Sequence, residues 1–224
     1  MRSQHRPRQR TARGPAAAAF LVLGLGLGGC LRATGADFTL TPDQTRRVTA
    51  RQVLVLTNLD SSQRRGTVRA AVRIEAPPDI VFGKMMRCEE ALKYVPHLRQ
   101  CRVRDQAADG SWVVVDQEID FGWYAPTVRW TFRSEVTTDR KLTFQQVSGD
   151  FKANEGAWEF EPLDDGTHTL VLYHAYLEPP GFVPNWMARS TFRRELPQML
   201  TELRRRCEAE QTLRADAIAK AAPR

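Results

Sequence analysis

The sequence predicts an α+β fold, with helices kept apart from a meander of antiparallel strands. Three observations predict it. Period-two alternation recurs between Thr67 and Leu177, in segments separated by turn residues. Pro77-Pro78-Asp79 breaks that pattern and opens a stretch with helical spacing. After Pro179-Pro180-Gly181 the period turns helical again and stays so to about residue 208.

The chain opens on an address. Arg2, Arg6, Arg8, Arg10 and Arg13 precede residues 16–29, an apolar and small-residue run of 14 with no acidic residue before it. A basic start, an apolar core and a small-residue end describe a secretory signal, residues 1–29. The run is shorter than the roughly 20 residues a membrane span needs. Leu27-Gly28-Gly29-Cys30 resembles the lipobox of bacterial lipoproteins. That resemblance implies cleavage before Cys30, acylation of Cys30, and a mature chain anchored in the cell envelope facing the periplasm. Leu31 is compatible with the outer membrane, and plain secretion to the periplasm is the alternative. Two or more acyl chains hold such an anchor, at about 0.8 kcal/mol per buried methylene.

Export changes the meaning of the charge. The whole chain has 33 basic and 26 acidic residues, net +7. Without the five signal arginines 28 basic residues face 26 acidic ones, net +2. The basic excess is thus mostly export signal, and nucleic-acid binding is not expected.

Residues 30–52 read as a tether and lead-in. Val53-Leu54-Val55-Leu56 is a short strand. Val68, Ala70, Val72 and Ile74 alternate with Arg69, Ala71, Arg73 and Glu75 on the next. Val81, Met85, Cys88 and Leu92 recur at helical spacing until Pro96 ends that region. Cys101 and Val103 open a strand that returns through the hairpin signal Asp109-Gly110 as residues 112–119. Strands follow at 128–136, 142–147, 156–161 and 169–177, with Asp164-Asp165-Gly166 turning between the last two. Phe192, Leu196, Met199, Leu200, Leu203 and Cys207 then share one face of a closing helix over about 184–208. Pro197 is expected to bend that helix. Residues 209–224 read as a charged, Ala-rich tail that frays, so the folded domain spans 53–208.

This order of elements resembles the START-like superfamily, in its polyketide cyclase and coenzyme Q-binding branch. The likeness runs from about Thr67 to Cys207. Its carriers are Ile74-Glu75-Ala76-Pro77 with the helix after it, Tyr94-Val95-Pro96, Gly149-Asp150-Phe151 with Trp158, Asp164-Asp165-Gly166, and Leu196-Pro197. The resemblance implies a helix-grip fold, a curved antiparallel sheet wrapped around the closing helix with an apolar cavity between them. It also implies a hydrophobic ligand: a lipid, an isoprenoid quinone or a polyketide-like molecule. The export signal and the Cys88/Cys101 pair are departures from the superfamily pattern.

The residues themselves offer little catalytic chemistry. His97, His168 and His174 are the candidates for acid–base work, but none has metal-like spacing to another ligand. His168 and His174 are six apart, which puts them on one face of a strand. Asp116, Glu118 and Asp120 also share a strand face, as solvated carboxylates do. No phosphate loop, nucleophile elbow or zinc spacing appears, so no cofactor, metal or catalytic residue is expected. The candidate cavity residues are Trp130, Phe132, Phe144, Trp158, Tyr173, Trp186, Phe192, Leu196 and Leu200. The segment Pro179-Pro180-Gly181 supplies a stiff gate with one flexible residue.

Cys88 and Cys101 are expected to form a disulfide. An exported protein meets an oxidising compartment, and Pro96 lets the chain between them fold back. Closing a loop of this size contributes about 3 kcal/mol. Cys207 is then a buried free thiol on the closing helix. The expected function is an envelope binding or carrier protein for a hydrophobic small molecule, held at a membrane by lipid. The alternatives are a cyclase or aromatase using Tyr173, His174 and Arg133, or a structural lipoprotein that binds another envelope protein.

Overall fold

The computed structural model describes residues 38–62, 65–138 and 140–221, so the signal, Cys30 and the beginning of the lead-in lie outside the described residues. The first described element is helix α1 (Pro42–Thr49). Thr41 caps it: its hydroxyl accepts from the Gln44 amide at 3.3 Å, and the Gln44 side chain accepts from the Thr41 amide at 2.9 Å. Strands β1 (Leu54–Leu59) and β2 (Gly66–Ile74) follow as a hairpin, then the short helices α2 (Pro78–Met85) and α3 (Cys88–Tyr94). A meander completes the sheet: β3 (Leu98–Gln106), β4 (Trp112–Ile119), β5 (Val128–Thr138), β6 (Lys141–Gly149), β7 (Ala153–Leu163) and β8 (His168–Glu178).

The eight strands lie in the order β1-β2-β8-β7-β6-β5-β4-β3, all neighbours antiparallel. Among the described residues the non-sequential neighbours are β2 and β8, so the N-terminal hairpin is joined to the meander through its last strand. Sequence alternation fixes which side faces in. Val68, Ala70, Val72 and Ile74 are fully buried, and Val171, Tyr173 and Ala175 continue that inward row on β8. Edge strand β3 is mostly exposed, carries Arg99, Arg102 and Arg104, and has two register shifts against β4. Charges and irregularities on an edge discourage pairing with another chain.

The other side of β1, β2 and β8 is covered too. Phe38 and Val48 are buried there against Leu54, Ala71 and Leu172, and the Arg69 guanidinium sits 5.6 Å from the Phe38 ring centroid. Residues 38–50 therefore already pack against the sheet, ahead of the expected domain start at 53. The reading missed it because an eight-residue helix shows one buried residue, Val48, too few for a period.

The closing element runs as α4 (Asn185–Ser190), a π-turn (Thr191–Glu195) and α5 (Leu196–Ala221). The Leu196 amide donates to the Thr191 carbonyl, one residue further back than in an α-helix. Pro197 follows at once. Its ring would clash with the carbonyl four residues earlier, and the widened turn before it is where the helix absorbs that conflict. At its far end α5 runs on to Ala221, and Arg214 reaches Asp79 of α2 at 3.0 Å. The expected fraying from residue 209 is thus replaced by a continuing helix, because ion pairs to α2 supply what its apolar face lacks.

Candidate functional site

Between the inner face of the sheet and α5 lies a chamber of about 260 Å³. Each wall follows from a local rule. The inward rows of β4 and β5 supply Val113, Val115, Trp130 and Phe132, and β6 and β7 supply Leu142, Phe144 and Trp158. α5 contributes Leu196, Met199 and Leu203, spaced three, then four residues apart and so one stripe of the helix. Met85 and Met86 close the chamber from the end of α2, and Ala91 and Tyr94 from α3. At Gly156 a Cβ would lie 2.1 Å from the His174 carbonyl, so the strands approach too closely there for a side chain. That gap on the inward row of β7, between Asn154 and Trp158, leaves room in the wall.

The floor is aromatic. Tyr173 stacks parallel to Phe144 at 6.2 Å and lies 4.2 Å from Trp158, while Phe132 meets Phe144 edge-on at 6.5 Å. Its polar atoms are uncharged: Gln117, Ser134 and Asn154, with the phenols of Tyr94 and Tyr173. Burial pushes the Tyr173 phenol up, and burial pushes Tyr94 up as well, helped by the nearby Cys207 and Glu90. Among the described residues, no carboxylate, amine, guanidinium or imidazole lines the chamber. Cys88 and Cys101 are joined by a disulfide that forms part of this wall, and the Gln117 side-chain amide points at the Cys101 sulfur from 3.7 Å.

Charge is concentrated behind the wall instead. Buried Lys84 of α2 lies 3.2 Å from Glu90 of α3 and 2.8 Å from Glu210 of α5. Arg206 reaches Glu90 at 3.2 Å, and Lys93 reaches it at 2.7 Å. Hydrogen bonds from Lys93, Lys84 and Arg206 hold the Glu90 carboxyl at about 2, and Lys84 holds Glu210 below its ordinary value. The network ties α5 to both short helices. Cys207 sits beside it as a buried free thiol, pushed by burial up to about 12.

Six of the nine aromatic and aliphatic residues expected at the cavity line it: Trp130, Phe132, Phe144, Trp158, Tyr173 and Leu196. Three do not. Trp186 is 56% exposed on α4, beside Met187, which the same helix buries against Val128 and Trp130. Phe192 is buried in the π-turn and borders a separate small cleft with Thr57 and Leu59 of β1. Leu200 is 1% exposed in the solid part of the core, rotated about 40° round the helix from Leu196. The reading treated one broad apolar face as a single lining, whereas the helix splits it between chamber and core. Met199, Leu203, Gln117 and Asn154 were missed. The first two carried a signal in the Leu196 stripe, and Gln117 carried one in its parity on the expected strand 112–119, whereas Asn154 precedes the expected strand 156–161 and carried none.

The candidate acid–base groups lie elsewhere. Asp116 accepts a hydrogen bond from Thr131 at 2.7 Å, Glu118 pairs with Arg129 at 2.7 Å, and Asp120 with Arg99 at 3.5 Å, on the outward face of the sheet. His168 lies 3.1 Å from Asp164 at the β7–β8 turn, and the His97 ring lies 5.3 Å from that of Phe121. Arg133 lies over the Trp112 ring at 4.3 Å, and His174 alternates with Tyr173, so neither lines the chamber.

The comparisons with known proteins agree with this geometry. A family model described as polyketide cyclase/dehydrase and lipid transport matches residues 74–204. Among solved structures, a STAR-related lipid transfer protein fragment from Xanthomonas axonopodis superposes with a TM-score of 0.58 at 17% identity, covering 69% of this chain and 93% of that one. The Zhui aromatase/cyclase from Streptomyces sp. R1128 gives 0.53 at 15% identity, covering 67% and 96%. A START superfamily protein from Mycobacterium smegmatis gives 0.54 at 17%, covering 64% and 97%. A search of the curated proteins finds no match. The family model runs from the end of β2 through β3–β8 and the chamber to the first part of α5, and the chain belongs to the polyketide cyclase/dehydrase and lipid-transport family of the START-like superfamily, with its helix-grip fold.

Proposed function

We propose that this protein is an envelope-located binding or carrier protein for a hydrophobic small molecule, anchored to a membrane through Cys30. The observation that carries the reading is the chamber, about 260 Å³ of space walled by aromatic, aliphatic and uncharged polar side chains. Pockets of this make-up hold small molecules by burial, with a few polar groups fixing orientation. Removing apolar ligand surface from water contributes about 25 cal/mol per Å², before the costs of association. The solved relatives include both a lipid transfer protein and an aromatase/cyclase, and the wall favours the first. A cyclase needs a proton acceptor over its substrate, and buried phenols with raised pKa are poor ones. The envelope location is supported by the signal-like residues 1–29, the lipobox-like end at Cys30, and a Cys88–Cys101 disulfide suited to an oxidising compartment.

Native mass spectrometry of the protein purified from its own membrane tests both halves. The expected result is a mature chain beginning at Cys30 with acyl mass, carrying a bound apolar molecule released on denaturation. A bare chain that also binds no apolar probe would overturn the carrier reading and leave partner binding in its place. A mature chain whose mass contains no acyl groups would overturn the anchor.

A further inference from the structure

We propose that the chamber selects an uncharged ligand carrying a carbonyl or hydroxyl oxygen at one end, and rejects carboxylates and phosphates of the same shape. The inference rests on the binding reading above and adds the chemical class of ligand.

Its first support is where the polar groups sit. Gln117 is two residues from the end of β4, and Asn154 is the second residue of β7. Strand register places both at the same end of the sheet: Gln117 pairs with Trp130, which pairs with Gly149 at the end of β6, and Asn154 pairs with Leu177 near the end of β8. Two carboxamides of the lining therefore lie towards one end, and the rings of Phe144, Trp158 and Tyr173 lie further along the strands. A carboxamide both donates and accepts, so it can bond a ligand carbonyl or hydroxyl alike.

The second support is the absence of charge from the lining among the described residues. Buried Lys84 and half-buried Arg206 are committed to Glu90 and Glu210 behind the wall. An anionic head placed in this chamber would lose its hydration and meet no counter-charge, whereas a ketone or alcohol needs only the hydrogen bonds the carboxamides offer.

Calorimetric titration of the purified protein with three probes of one skeleton tests this: 2-ethylnaphthalene, 2-acetylnaphthalene and 2-naphthoate at pH 7. The ketone is expected to bind at least tenfold more tightly than the carboxylate. In the Gln117→Leu/Asn154→Leu double variant the ketone is expected to lose about tenfold while the hydrocarbon binds as before, which also shows that the variant is folded. A carboxylate that binds as well as the ketone would overturn the selectivity while leaving the carrier reading standing. So would a double variant that keeps its full affinity for the ketone. If none of the three probes binds the wild type, the carrier reading itself fails, and the selectivity with it.

Discussion

Adjacent residues on α5 face different surroundings. Met199 lines the chamber, while Leu200 is 1% exposed among packed side chains. Truncating Leu200 to Ala should therefore cost about 2–5 kcal/mol of stability by leaving a cavity in the solid core, and urea denaturation will measure it. Leu200→Trp, which an all-apolar reading of the helix face suggests as a cavity filler, should overpack the core and destabilise the fold. Met199→Trp is the substitution that puts bulk into empty space. Cys207 makes a third contrast. It is fully buried, and burial raises its thiol to about 12, so alkylation at pH 8 followed by peptide mapping should find it unmodified until the protein unfolds. Sequence showed that Leu196, Met199, Leu200, Leu203 and Cys207 share a broad face. It could not show how the face divides, because that depends on where β2 and β6 sit around the helix.

At the scale of elements, the closing helix is held by charge at one end and by a disulfide-braced wall near the other. Glu90 has a folded-state pKa of about 2 against an ordinary 4.5, so its contribution is fully present above pH 4.5. It is lost as pH falls from about 4.5 to about 2, because the unfolded chain takes up the proton first. Glu210 shifts in the same direction and adds to the loss. Glu90→Gln should lower stability at pH 7 and flatten the pH dependence of denaturation across that window. An acid slope unchanged by the substitution would show that the clamp is not what acid breaks. The Cys88–Cys101 bridge joins α3 to β3 across a sequence separation of 13. Its reduction should cost about 3 kcal/mol in the chain-entropy account, read as a lower melting temperature with dithiothreitol. Most elements were legible from period and turn residues: each strand of the meander overlaps an expected segment, though β3 begins at Leu98 ahead of Cys101 and β7 spans Ala153–Leu163 rather than 156–161. Two were not. α1 announces itself only by the capping sequence Thr41-Pro42-Asp43-Gln44, and the π-turn at 191–195 has no sequence signal beyond the nearby Pro197.

For the whole molecule, one inner sheet face does two jobs. Its β1–β2–β8 side packs solidly against α2, the π-turn and α5, with Val68, Val72 and Ile74 fully buried beside Phe160 of β7. Its β4–β7 side keeps a chamber. Alternation in the sequence marks both sides as inward and cannot tell them apart, since Phe144 and Phe160 read alike until the helix is placed. The family likeness supplied the expectation of a cavity, and the geometry supplied its walls and its two carboxamides. The most direct test of the chamber as a binding site is fluorescence titration with N-phenyl-1-naphthylamine, a neutral apolar probe that brightens when shielded from water. The account predicts a saturable one-to-one rise with the wild type, and at least a tenfold weaker response from Met199→Trp at unchanged folding. No saturable binding, or binding that Met199→Trp leaves untouched, would contradict it.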